Sequence, residues 1–238
     1  MIADIALVIG AYLLGSVPYM LLLARAKGFK VSPEDDLHAV LWGKAGRLWG
    51  STGFLFDVFK GVIPIIIGFV FDFHLAVVAA AAVAAIVGQM WPVFQKFDGE
   101  KGNSTGLGIV ATFTIALTLT GFSHAYLVFL IAGTCTLTGF CIRTVPRFLA
   151  PEQTVSERFM LGGPPSRIFP LCNAIAFAIA PLASWGLKQP LEMTLAFAVV
   201  FVAIIVRRLT AGLSADIKTT TSVRSILINR ALYDRSYL

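Results

Sequence analysis

Charge is scarce in this chain: Asp, Glu, Lys and Arg make up 13% of its 238 residues, about half the share of an ordinary soluble domain. That scarcity excludes a globular protein with a water-facing surface on every side. Histidine and cysteine are rarer still, with three of each. Cys135, Cys141 and Cys172 lie in or at the edge of apolar runs without metal-ligand spacing, so they read as buried thiols. None of His38, His74 and His124 is followed by an aspartate four residues on, so a histidine–aspartate base at helical spacing is missing. His74 and His124 read as interfacial side chains. No Ser/His/Asp set and no metal-ligating cluster is discernible, and neither a metal nor a cofactor is expected.

What the chain has instead is apolar length. It is 57% hydrophobic, with a mean hydropathy of +0.82. Seven runs approach the roughly 20 residues that cross a bilayer: 2–24, 53–71, 73–94, 104–121, 124–142, 168–187 and 191–206. The expected fold is an all-α integral membrane protein of seven transmembrane helices. The first run lacks a basic segment before it, so it reads as a first span and not as a cleaved leader.

Basic residues test this arrangement. The loops 24–52, 95–103 and 143–167 and the segment after 206 together hold 17 of the 19 Lys and Arg residues, leaving Lys188 on the opposite side and Lys60 inside a span. The positive-inside rule then puts the N-terminus outside and the C-terminus in the cytoplasm. Orientation accounts for the net charge of +6, so no nucleic-acid partner is expected. Residues 1–212 read as the membrane domain and 213–238 as a cytoplasmic tail. Within that tail, "SVRSILINRALYDRSYL" spaces Val223, Ile226, Leu227 and Ala231 as a helix does. An interfacial helix with Arg224, Arg230 and Arg235 toward anionic head groups fits the pattern, as does a docking helix or a frayed tail.

The remaining polar residues gather near the cytoplasmic ends of the spans. Asp57 and Lys60 in "GFLFDVFKGVIP" are three apart and share a face, either as a local ion pair or as the lining of a pocket. Pro64 follows one turn later and should kink the span. Residues 95–108 read "QKFDGEKGNSTGLG". Its glycines permit close backbone approach, Asn103, Ser104 or Thr105 can cap the next helix, and Lys101 adds a full positive charge to a helix N-terminus. That suits a phosphate monoester, although the order is not that of a Walker A loop.

"GSVP", "DVFKGVIP" and "GQMWPVFQKFDGEKGNSTGLG", in that order across seven spans, resemble the acyl-phosphate:glycerol-3-phosphate acyltransferase (PlsY) family. Gly15, Ser16 and Pro18 match its opening, and Asp57, Lys60, Gly61 and Pro64 match its second span. Gly88, Pro92, Phe94, Phe97, Gly99, Lys101, Gly102 and Thr105 match its glycine-rich motif. Arg167 matches the arginine of a later motif, and "RRLTAG" at 207–212 resembles the closing segment. The resemblance implies a multi-pass protein of the bacterial inner membrane that meets membrane lipids. It also implies transfer of an acyl group from acyl phosphate to glycerol 3-phosphate. Its phosphate-binding candidates are Gly99, Lys101, Gly102, Asn103, Ser104, Thr105 and Arg167, and its pocket-lining candidates are Ser16, Asp57, Lys60 and Asn173.

The chain also departs from the family pattern. Gln89 stands where the motif has histidine, and Glu100 where it has a second glycine. Later serines fall on Pro170 and Asn173, apolar "FVAIIV" replaces an H-x-x-N, "VSPEDDLHAVLWGKAGRLWG" replaces a G-S-G-N-x-G run, and 143–166 looks like an insertion. A glutamate in a phosphate loop repels a dianion, by a few kcal/mol at short range. These departures give the expectation of a non-catalytic member, binding lipid or phosphate or serving as an accessory subunit of a membrane-protein complex. The alternative is an active acyltransferase. A transporter is disfavoured, because no internal repeat is seen.

Overall fold

The computed structural model describes residues 1–30, 41–149, 168–219 and 222–234, and among these it is helical with no strand. Ten α-helices follow in order: α1 (Ile2–Ser16), α2 (Tyr19–Ala26), α3 (Arg47–Val70), α4 (Leu75–Met90), α5 (Asn103–Leu119), α6 (Ala125–Leu149), α7 (Ile168–Gly186), α8 (Leu191–Thr210), α9 (Leu213–Thr219) and α10 (Val223–Tyr233). A turn of π-helix at Leu41–Ala45 precedes α3, and a turn of 3₁₀-helix at Val93–Gln95 follows α4.

Six helical stretches among the described residues are long and apolar enough to cross a bilayer: Ile2–Ala26, Leu48–Val70, Leu75–Gln95, Ala125–Val145, Ile168–Gly186 and Leu191–Thr210. The seventh expected span is α5, whose 17 residues reach about 25 Å against a hydrocarbon core of about 30 Å. The first span is one traverse in two pieces. Pro18 disfavours helical backbone at the residue before it, and Val17 is extended there (φ −64°, ψ 117°). The chain then resumes as α2. Pro64 lies inside α3 without ending it, although its missing N–H removes one helical bond to the Lys60 carbonyl.

Small residues set the helix crossings. A Cβ on Gly15 of α1 would sit 2.0 Å from the Ala85 carbonyl oxygen, and one on Gly88 of α4 would sit 2.2 Å from that of Tyr12. The two backbones therefore touch, as membrane helices do when lipid offers no hydrophobic drive and close packing must hold them. α3 crosses α5 in the same way, with Gly61 against the Thr105 carbonyl and Gly108 against that of Val58. A continuous core of Ile65, Ile86, Ile109, Phe113, Phe177 and Phe197 joins α3, α4, α5, α7 and α8. Phe113 meets Phe69 and Phe197 edge to face, at centroid distances of 6.1 and 6.0 Å. Many large side chains outside this core are exposed, among them Ile5, Phe59, Ile66, Leu130 and Val202, as expected of surfaces that meet lipid tails.

In the tail, α10 is held against the helix bundle. α10 packs on α7 and α8, and Ile226 and Arg230 are buried. The Arg230 guanidinium donates to the Ala211 carbonyl and pairs with Asp216. An arginine expected at lipid head groups instead ties the tail to the end of α8.

Candidate functional site

The loop between α4 and α5 is pinned by its own backbone. Gly99 N–H donates to the Met90 carbonyl (3.2 Å) and Glu100 N–H to that of Gln89 (3.1 Å). Gly102 ends the loop in a left-handed conformation (φ 74°), and a Cβ there would lie 2.5 Å from the Met90 methyl. Only glycine meets both demands. As N-cap of α5 it has no side chain to bond the first turn. The first backbone bond of the helix runs from Gly106 N–H to the Gly102 carbonyl (2.8 Å). The N–H groups of residues 103–105 are thus the orphan donors of a helix start, with its partial positive charge behind them.

Beneath the loop lies a buried polar group. Lys60 Nζ is 2.8 Å from Asp57 Oδ1, with their side chains 2% and 1% exposed, so the local ion pair forms. The Lys60 ammonium also lies 5.5 Å from the centre of the Phe56 ring. Gln89 Nε2 donates to Glu100 Oε2 (3.3 Å). The two departures within the glycine-rich motif are therefore one contact. Burial foremost, and then the Asp57 carboxylate, hold the Glu100 carboxyl well above the usual carboxylate range, with Lys60 opposing. A carboxyl so held favours its neutral form. Glu100 is turned toward Gln89, Asp57 and Lys60, so the repulsion expected toward a bound dianion is reduced.

Two arginines and Lys101 close the opposite side. Arg207 Nη2 donates to Asp98 Oδ1 (2.5 Å) and to the Gly99 carbonyl (2.6 Å), bracing the loop. Arg208 is fully buried. Its guanidinium donates to Asn103 Oδ1, Pro170 O and Ala231 O, each at 3.2 Å. Lys101 Nζ donates to the Asp234 carbonyl (2.9 Å) and lies 3.1 Å from Asp234 Oδ1.

The structure thus joins Gly99, Lys101, Gly102, Asn103 and Ser104 in one loop and helix start. It gives other candidates different work. The Thr105 hydroxyl is buried and donates to the Asp57 carbonyl (2.6 Å), fastening α5 to α3. The Ser16 hydroxyl donates back to the Tyr12 carbonyl (2.9 Å) in its own helix. Asn173 is buried on α7, and its Oδ1 has no hydrogen-bond partner among the described residues. Arg167, the 31–40 stretch and most of the 143–166 insertion lie outside the described residues.

Arg208 and Asp234 were not singled out from the sequence. Consecutive arginines ending an apolar run were the available signal, because a buried arginine needs partners. Among the described residues no group of three or more His, Cys, Asp or Glu is arranged to hold a metal.

A model of the glycerol-3-phosphate acyltransferase family matches residues 5–151. A glycerol-3-phosphate acyltransferase of Geotalea daltonii is 38% identical over 112 residues, 46% of this chain and 58% of that protein. One of Rubrobacter xylanophilus is 39% identical over 108 residues, 44% of this chain and 54% of that protein. The chain therefore spans a little over half the length of these curated relatives. A solved structure of PlsY (YgiH), an integral membrane glycerol 3-phosphate acyltransferase in its glycerol 3-phosphate form, is 26% identical with a TM-score of 0.62. The likeness covers 87% of this chain and 88% of that one. The lysophosphatidic acid form, 24% identical with a TM-score of 0.60 over 91% and 93% of the two chains, shares the fold. This multi-pass membrane protein belongs to the glycerol-3-phosphate acyltransferase family.

Proposed function

We propose that this chain is an active acyltransferase that moves an acyl group from acyl phosphate to glycerol 3-phosphate. The observation that carries this reading is the uncapped start of α5, with Lys101 beside it and a glycine N-cap that leaves its donors open. The names of the relatives support it. Those names lend nothing to the expectation of a non-catalytic or accessory subunit. The contact between Gln89 and Glu100 also weakens the sharpest physical objection to catalysis.

Lys101 and the N–H groups opening α5 would hold the phosphate, with Asn103 and Ser104 at the rim. Arg207 positions the loop through Asp98 and Gly99. In the reaction a glycerol 3-phosphate hydroxyl oxygen attacks the acyl carbonyl carbon. The carbon–oxygen bond to phosphate breaks, inorganic phosphate leaves, and the hydroxyl proton goes to that leaving phosphate or to water. Acyl phosphate is already activated, so no covalent nucleophile on the protein is required. Positioning and charge stabilisation are the protein's contribution.

The test supplies purified protein with acyl phosphate and glycerol 3-phosphate and measures lysophosphatidate. Turnover is expected, and Lys101→Ala should lower it on the order of 100-fold, as removal of one preorganised charge-stabilising donor does. A wild-type protein that remains folded and yields no lysophosphatidate would refute the proposal.

A further inference from the structure

The cation pair at the mouth of the loop already holds an anion supplied by the chain itself. Asp234 Oδ1 lies 3.1 Å from Lys101 Nζ and 3.9 Å from Arg208 Nε. The Asp234 carboxylate is 14% exposed between a fully buried Arg208 and a Lys101 that is 43% exposed, so the site has a buried cation at its base and a solvent-reachable one at its mouth. One of its walls is the start of α5, since Arg208 also holds Asn103 Oδ1. The position fits a second kind of anion, because a phosphate monoester offers three oxygens and up to two charges where the carboxylate offers one charge.

We propose that Asp234 is an internal competitor for the phosphate site and that α10 is the strap that carries it. A phosphate monoester entering between Lys101 and Arg208 displaces the Asp234 carboxylate and loosens α10. The proposal rests on the assignment of Lys101 as a phosphate ligand. Asp234 is the left-handed C-cap of α10 (φ 61°), and its N–H donates to the Arg230 carbonyl (3.1 Å). The end of the strap is therefore shaped to present this carboxylate.

The attachment of α10 suits a releasable element. Ile226 is its one buried apolar side chain among the described residues, while Val223 and Ile228 are exposed. Arg230 supplies most of the remaining hold. It bonds the carbonyls of Arg208, Leu209 and Ala211 and pairs with Asp216. These are polar contacts at the end of α8, part-buried except for the buried bond to the Arg208 carbonyl, and water can replace them when the strap lifts. Arg208 would keep its bonds to Pro170 O and Asn103 Oδ1 after release. The cation that receives the substrate is thus held in place independently of the strap.

The test compares wild type with Asp234→Asn, which keeps the backbone carbonyl that Lys101 uses and removes only the charge. Two quantities are read: the Kd for inorganic phosphate by calorimetry on the detergent-purified full chain, and the KM for glycerol 3-phosphate in the lysophosphatidate assay. Asp234→Asn is expected to tighten phosphate binding and lower KM about 5-fold or more, the scale of a modest coupling between two sites. In a Lys101→Ala background the same substitution should change phosphate binding little. Arg230→Ala, which loosens the strap without touching the carboxylate, should also tighten phosphate binding.

Unchanged or weaker phosphate binding in folded Asp234→Asn would overturn the proposal, since a merely structural aspartate gives weakening. If Asp234→Asn tightens phosphate binding while no variant forms lysophosphatidate, the strap stands and the acyltransferase reading falls. If both proteins turn over with equal KM and equal Kd, the acyltransferase reading stands and the strap falls.

Discussion

Lys60→Met tests the physical argument most directly, because it removes one partner of a buried ion pair and keeps the side-chain volume close. At 2.8 Å and an effective dielectric near 20, the gross attraction between Asp57 and Lys60 is about 6 kcal/mol. Desolvation of the two charges offsets much of that attraction, so the pair itself adds little net stability. Removing one partner is different: Asp57 is left charged among α3, α5 and the loop, and such single removals cost roughly 3–5 kcal/mol. At about 2–4 °C per kcal/mol for a chain of this size, the melting temperature in detergent should fall on the order of 10 °C. Tryptophan fluorescence on heating is a suitable assay. The double variant Asp57→Asn with Lys60→Met, which removes both charges, should recover most of the loss. A single variant melting within about 2 °C of wild type would refute the reasoning, as would a double variant no more stable than the single.

Two further predictions follow from the loop. The Glu100 carboxyl is raised in the folded protein above the usual 4.5, so its contribution to stability is full below that value and is lost as pH rises through the folded pKa. Glu100→Gln keeps a hydrogen-bonding side chain beside Gln89 and should flatten the fall of melting temperature with pH above 4.5; an unchanged slope would exclude Glu100 as its source. Thr105→Val removes the 2.6 Å bond to the Asp57 carbonyl and should destabilise the fold by about 1–3 kcal/mol, as an orphaned buried acceptor does. Because this hydroxyl faces α3, KM for glycerol 3-phosphate should hardly move, and a rise of 10-fold or more in a folded variant would return Thr105 to the phosphate site.

The membrane fold was legible because hydropathy acts locally: each apolar run had to become a helix to satisfy its own backbone in lipid. Six of the seven expected spans appear with boundaries close to those read, and the seventh is the shorter α5. The glycine-rich loop was legible for a related reason. Gly102 is demanded by a positive φ, and the composition of the stretch announces a helix start. The tail was less legible. Its helical spacing is real, yet spacing alone does not say whether Arg230 meets head groups or the end of α8. Glu100 was misleading by itself, because the charge of a side chain in a loop depends on what it folds against.

The sequence by itself determined that this chain lies in a membrane as a bundle of helices, and that lysine, glycine and hydroxyl residues cluster at one helix start. Those properties are set by composition and by neighbours along the chain. Only the tertiary structure decided that Gln89 meets Glu100, that Thr105 bonds to Asp57, and that Asp234 reaches Lys101 across a separation of 133 residues. The physical reason is that a buried charge is settled by its partners. Those partners come from whichever helices the glycine crossings bring together, and no local pattern records that choice.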